Sequence, residues 1–235
     1  MKSSGGTDRA KRLAGERAAA EVEDGDLVGL GTGSTAAHAI RALGDSIEDG
    51  LDVRGVPTSH QSRALAREVG VPLVALDDVD RVDVAIDGAD QVADGPDPTT
   101  GGALIKGGGA AHAREKVVAT AADRFLVVAD ETKLAEHLDR PVPIEILPDA
   151  RSIVAEAIET LGGDPTLRAA ECKDGPVVTD NGNFVLDCEF GRVGDPTGLA
   201  SDLDSVPGVV EHGLFVGLAD ALVVGSDDDV TLREC

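Results

Sequence analysis

Over the first 130 positions the chain alternates short unbroken apolar runs with stretches whose apolar residues recur every three or four positions. The runs LVGLG (27–31), DVRGV (52–56), VDVAID (82–87) and RFLVVAD (124–130) read as buried strands. Between them, STAAHAIRALGDSI, SHQSRALAREVG and AAHAREKVVATAA read as helices, and ERAAAEVEDGD closes an earlier one. Strand and helix alternating at this rhythm predict a doubly wound, mostly parallel Rossmann-like sheet, an α/β fold whose ligands sit at the C-terminal ends of the strands.

Beyond about residue 138 the rhythm changes. VPIEIL (142–147) is a strand and DARSIVAEAIETLG a helix. TLRAAEC and NFVLDCEF read as two strands joined across DNGN, PTGLASDLDSV as a helix and GVVEHG as a last strand. This β-α-β-β-α-β order is the ferredoxin-like pattern of a second, smaller α+β domain. LADALVVG (218–225) reads as a strand returning to the first sheet. The expected organisation is a large domain built from 1–138 plus 213–235, with 139–212 inserted. ADGPDPTTGG (93–102) reads as a turn-rich loop and SDDDV near the end as a solvated acidic turn.

Composition narrows the function. No apolar run approaches the roughly 18–20 residues of a membrane span, and the charged start lacks a signal-peptide core, so a soluble cytoplasmic protein is expected. Four Phe with no Trp or Tyr argue against stacking platforms for bases or sugars. The net charge of −23 would repel nucleic acid. Forty-four acidic residues against 21 basic, with only six Lys among the latter, suit a protein of concentrated salt, where screening removes self-repulsion. Cys172, Cys188 and Cys235 are too scattered for a disulfide framework. His38, His60, His112, His137 and His212 have no metal-ligand spacing, so neither metal nor cofactor is expected.

Three stretches carry candidate chemistry. In GLGTGSTAAHAI a buried strand runs through Gly31-Thr32-Gly33-Ser34-Thr35 into a helix, which makes an anion cradle of free N–H groups and hydroxyls. Neither the P-loop nor the dinucleotide fingerprint is met. In VAIDGADQV, Asp87 and Asp90 fall just beyond a strand, flanked by Gly88 and Ala89. Carboxylates there can hold hydroxyls or carry protons, although Asp-Gly is also a common turn. In LIKGGGAAHAREK, Lys106 stands beside Gly107-Gly108-Gly109 at a helix start. Glu115 follows on that helix, and by itself it reads as a surface partner of Arg114 and Lys116.

Taken together, the Gly-Thr-Gly-Ser-Thr run at 31–35, Asp-Gly-Ala-Asp at 87–90, and Lys-Gly-Gly-Gly-Ala-Ala at 106–111 followed by Arg-Glu-Lys at 114–116 resemble the type A ribose-5-phosphate isomerases. TDNGNFVLD (179–187) and GVVEHGLF (208–215) are similar to family segments too, and the likeness runs from about Lys11 to Val224. The resemblance implies an aldose–ketose isomerase that interconverts ribose 5-phosphate and ribulose 5-phosphate through an enediolate. It implies Glu115 as general base, with Asp87, Asp90 and Lys106 also catalytic. Substrate contacts are implied for Lys11, Thr32, Gly33, Ser34, Thr35, Asp87, Gly88, Ala89, Asp90, Lys106, Gly107, Gly108, Gly109 and Lys133. A small sugar phosphate as partner and a homodimer or homotetramer follow from the same likeness. Gln91 departs from the glutamate common at that position, which removes a local negative charge. The rival readings are a non-catalytic sugar-phosphate-binding module and a different enzyme on a similar fold, such as an amino-sugar-phosphate isomerase.

Overall fold

The computed structural model describes residues 6–94 and 102–235, so most of the turn-rich stretch at 93–102 lies outside the described residues. In chain order the elements are α1 (Asp8–Ala19), β1 (Leu27–Leu30), α2 (Ser34–Glu48), β2 (Arg54–Pro57), α3 (His60–Glu68), β3 (Val82–Gly88), β4 (Gln91–Ala93) and β5 (Leu104–Ile105). There follow α4 (His112–Thr120), β6 (Ala122–Asp130), β7 (Leu134–Ala135), β8 (Val142–Ile146), α5 (Arg151–Thr160), β9 (Asp164–Leu167) and β10 (Phe184–Glu189). The chain ends with α6 (Pro196–Asp204), β11 (Val209–His212), β12 (Leu214–Phe215), β13 (Ala221–Gly225) and β14 (Val230–Glu234).

The chain divides into two compact units. One comprises the described residues from Gly6 to Ala89, with Arg114–Leu134 and Leu218–Cys235. It holds a six-stranded sheet in the order β14-β13-β6-β3-β1-β2, parallel throughout except for the β13–β14 hairpin. Its strands are apolar on both faces because a parallel sheet is covered on both: Val28, Leu30, Val84, Ile86, Leu126, Val128 and Val223 are buried on one face, and Ala85, Phe125, Val127 and Val224 on the other. From β1 the chain winds one way to β2, then crosses back to β3 and continues the other way. The reversal leaves a crevice beyond the C-terminal ends of β1 and β3, the topological switch point where such sheets bind ligands.

The other unit comprises Asp90–Ala113 and Ala135–Gly217. Its main sheet runs β11-β8-β10-β9, antiparallel at every pairing, with α5 and α6 as the two helices of the ferredoxin-like pattern. Ile144, Ile146, Leu186 and Cys188 pack with Val154 and Ile158 of α5 and Leu203 of α6. The segment 90–113 belongs to this unit through β4 and β5, which pair with each other, through β12, which pairs with β5, and through Ala93, Ala103 and Ile105 in its core.

Some elements differ from the sequence reading. The strand expected in TLRAAEC starts earlier, at Asp164, and ends at Leu167; it includes Pro165, which an edge strand tolerates. DNGN does not join β9 directly to β10. It is a turn within Thr179–Asn183, closed by the Thr179 and Gly182 N–H groups, and it feeds β10 alone. The acidic run after β13 is a turn, as read, but VTLRE beyond it adds the antiparallel edge strand β14.

Candidate active site

At the switch point, β1 passes into Gly31 and Thr32 beside the end of β3. Gly31 N–H extends the ladder to the Ile86 carbonyl at 2.9 Å. Asp87, buried at the next position, turns Oδ1 toward β1, where it accepts the N–H of Thr32 at 2.9 Å and of Gly88 at 2.7 Å. A Cβ on Gly31 would fall 2.2 Å from that Oδ1 and 2.5 Å from the Asp87 Cα, so this glycine exists to admit Asp87. Gly33 has a different reason: its φ of +109° suits glycine, and the space in front of it is open.

Gly33 is also the N-cap of α2, and it brings no side chain to cap the helix. No acidic residue stands in the first turn of α2. By contrast α1, α3 and α6 are capped by Thr7, Ser59 and Asp195. The 15-residue α2 therefore has free N–H groups and a positive end at its start, with exposed Ser34 beside them, an arrangement that can hold an anion. The Thr32 hydroxyl lies 2.7 Å from Ser59 Oγ and 2.9 Å from Thr58 Oγ1. These two buried hydroxyls were not singled out from sequence, although the capping box Ser59–Ser62 after β2 marks the position.

Glu115 is buried, 4% exposed, which removes it from the class of surface ion-pair residues. It sits in the first turn of α4, three residues before Val118 and on the same helix face. Val118 packs onto β1 at Gly29, where a Cβ would meet its Cγ1 at 2.6 Å. A helix feeding parallel strand β6 runs antiparallel to the sheet, so Glu115 lies from Val118 toward the C-terminal end of β1, the end occupied by Gly31 and Thr32. Lys133, also buried, closes a short 3₁₀ turn after β6, Glu131–Lys133, in which the N–H and hydroxyl of Thr132 are held by Asp130. Asp130 pairs with Gly225 of β13, and the Ala10 carbonyl of α1 occupies the space a Gly225 side chain would need. Lys11, half-buried and next in sequence, is thereby carried to this same end of the sheet.

In the other unit, Asp90 receives the Gly108 N–H on Oδ2 at 2.7 Å, and a Cβ on Gly108 would lie 2.6 Å from Oδ1. Gly107 has φ +98° and lies against the His112 ring. Two of the three glycines are thus required by protein neighbours. Lys106, 2% exposed, is anchored by its N–H to the Gly213 carbonyl, and its ammonium lies 5.3 Å from the centre of the Phe215 ring. Asp87 fixes the 31–35 turn and Asp90 fixes the 106–109 turn. The Asp-Gly-Ala-Asp run therefore serves two glycine turns, one from each unit.

Among the described residues, Asp204, Glu211 and His212 form a group whose ligand atoms lie close enough for a metal ion. The Leu214 N–H donates to His212 Nδ1 at 3.2 Å, which puts the neutral ring's proton on Nε2, the nitrogen 3.1 Å from Asp204. A cation on Nε2 would force that proton onto Nδ1, against the Leu214 N–H, so the group fits a histidine–carboxylate pair better than a metal centre. Burial pushes the Cys188 thiol well up, away from nucleophilic use. No helix among the described residues is long and apolar enough to cross a membrane.

The family described as ribose 5-phosphate isomerase A (phosphoriboisomerase A) matches residues 54–229. Ribose-5-phosphate isomerase A of Haloarcula marismortui is 66% identical over 229 residues, 97% of each chain. The solved structure of ribose 5-phosphate isomerase A from Methanocaldococcus jannaschii is 41% identical, with a TM-score of 0.89 over 96% of this chain and 98% of its own. A D-ribose-5-phosphate isomerase solved in complex with phospho-erythronic acid is 43% identical, with a TM-score of 0.89 over 96% and 97%. Three motif-bearing turns, the sheet order and these matches agree: the chain belongs to the ribose 5-phosphate isomerase A family and is an aldose–ketose isomerase.

Proposed function

We propose that the chain interconverts D-ribose 5-phosphate and D-ribulose 5-phosphate through an enediolate, with Glu115 as the base. The observation that carries the residue assignment is a buried carboxylate in the first turn of α4, on the face that packs over β1 and toward the strand end where α2 leaves its N-terminus uncapped. The α2 N-terminus, Ser34, Thr35, Lys11 and Lys133 suit the phosphate. Glu115 removes the proton from C2 of the open-chain aldose, and the electron pair moves to make the enediolate with its charge on O1. Asp87 passes the O2 proton to O1, and Glu115 returns the first proton to C1, giving the ketose. Lys106 and the N–H groups of the 106–109 turn stabilise the developing oxyanion, the interaction that contributes most in such reactions. Asp90 orients hydroxyls and holds Gly108.

Phospho-erythronic acid in the relative supports this reading, because a phosphorylated acid presents a planar, charged carboxylate much as an enediolate would. The reaction belongs in the non-oxidative pentose phosphate pathway of the cytoplasm, carried out by a homodimer or homotetramer. The test is ribose 5-phosphate conversion at low and high salt, with and without exhaustive chelation. Conversion that survives chelation is expected. Binding without turnover at every salt concentration would instead mark a sugar-phosphate-binding module.

A further inference from the structure

Arg168 follows the last residue of β9, and its backbone is fixed on both sides: its N–H donates to the Val185 carbonyl, and its carbonyl accepts from Val177, both at 2.9 Å. Its side chain is 10% exposed. Nε donates to Asp187 Oδ2 at 2.9 Å and Nη2 donates to Asp187 Oδ1, a bidentate fork on a β10 carboxylate. Nη1 then reaches the triple-glycine turn, donating to the Gly107 carbonyl at 2.9 Å and to the Gly108 carbonyl at 3.3 Å. The charge is buried, paired and hydrogen-bonded, the condition under which a buried ion is tolerated.

Holding two successive carbonyls fixes the peptide planes they belong to. In a trans peptide the N–H points opposite to the C=O, so the N–H groups of Gly108 and Gly109 are turned away from Arg168. The Gly108 N–H is the one that meets Asp90 at 2.7 Å. The Gly109 N–H makes no hydrogen bond among the described residues, and Gly109 is exposed. The turn is also strained: Ala110 holds φ +59°, the one non-glycine residue with positive φ among those described. A conformation of that kind persists only when its surroundings over-determine it, and here Arg168, Asp90 and the Ala110 N–H on the Gly107 carbonyl do so.

We propose that Arg168, fixed by Asp187, is a positioning residue for the isomerisation: it holds the Gly107–Gly109 turn so that the Gly109 N–H faces the developing oxyanion beside Lys106. The proposal rests on the isomerase reading for its kinetic consequence, and on the contacts alone for its effect on the turn. Lysine cannot replace it, because one ammonium cannot span a carboxylate fork and two carbonyls.

The experiment compares the full-length wild type with Arg168→Ala, Arg168→Lys and Asp187→Asn, in salt where each is shown folded by its melt. For Arg168→Ala, kcat should fall about 10²-fold, the usual scale for misplacement by an ångström, with KM changed less than about threefold. Added guanidinium at millimolar concentration should restore a substantial part of kcat to Arg168→Ala and none to Arg168→Lys. Amide exchange at Gly108, slow in the wild type through Asp90, should become fast in Arg168→Ala. Wild-type kcat and Gly108 protection in folded Arg168→Ala would overturn the proposal. So would a loss confined to stability that guanidinium does not rescue. If the wild type does not isomerise ribose 5-phosphate, the isomerase reading fails separately, and Gly108 exchange still decides whether Arg168 orders the turn.

Discussion

The Asp87 carboxylate lies against Gly31 so closely that a single methyl group there would overlap it, while the same carboxylate oxygen holds the Thr32 N–H at 2.9 Å. A side chain commonly read as chemistry is thus also the clasp of the turn that leads into α2. Asp90 repeats the arrangement with Gly108. Each glycine turn is therefore shaped in advance, before any sugar phosphate arrives, and catalysis gains most from dipoles that need no reorganisation.

Gly31→Ala and Gly33→Ala should both be costly, for different physical reasons. At Gly31 the new Cβ meets the Asp87 backbone and carboxylate at 2.2–2.5 Å, so the strand end must move; overpacking of this kind costs about 1–3 kcal/mol. At Gly33 nothing stands in the way, but φ +109° with ψ 178° is backbone essentially reserved for glycine, and a side chain there costs about 1–3 kcal/mol. Melts and ribose 5-phosphate turnover measured together check this. Wild-type turnover in Gly31→Ala would mean that Asp87 yields easily and does not fix the turn.

The strands of the parallel sheet were legible because burial on both faces writes them as unbroken apolar runs. β14 was not, since VTLRE is paired on one side only and half exposed, and its composition reads as part of an acidic tail. The three motif turns were legible from their residues. Their reasons were less so: nothing local says that Gly107 faces His112, Gly108 faces Asp90, or Thr32 leans on Thr58 and Ser59. Arg168 was invisible for the same cause, lying 60 residues or more from the carbonyls it holds. Sequence spacing reports neighbours along a helix or strand, whereas these contacts are made between elements that only the fold brings together.

The charge of −23 predicts a protein that is weak in dilute buffer. At about 0.1 M salt the Debye length is about 10 Å and like charges repel across the surface; near 1 M it is about 3 Å and they scarcely do. The melting temperature should therefore rise with potassium chloride through the molar range. A melt that is equal or higher in dilute buffer would show that the acidic surface is not an adaptation to salt.

Ala110→Gly should not cost what such a change costs in a helix. Glycine adopts φ +59° without the Cβ clash, and relief of about 1 kcal/mol offsets its greater freedom in the unfolded chain. Thermal stability should hold or rise, while turnover falls as the 106–109 turn loses rigidity. A clear drop in melting temperature would mean that Ala110 contributes packing that outweighs its strain.

Glu115→Gln separates the base from its scaffold. Glutamine keeps the size and one oxygen acceptor at a position that is 4% exposed, so the fold should persist, but the amide cannot take a C–H proton. General-base contributions run to about 10²–10⁴ in rate, and kcat should fall that far. Affinity should change much less, because phosphate and hydroxyl contacts are assigned to the α2 N-terminus, the lysines and Asp87. Lys106→Ala should by contrast weaken binding and turnover together, since its charge acts in ground and transition states alike. Solvent exchange of the C1/C2 proton and calorimetric binding of ribose 5-phosphate form the deciding pair. If the glutamine variant exchanges that proton near the wild-type rate, Glu115 is not the base, and Asp87, the next buried carboxylate of the motif, takes that role.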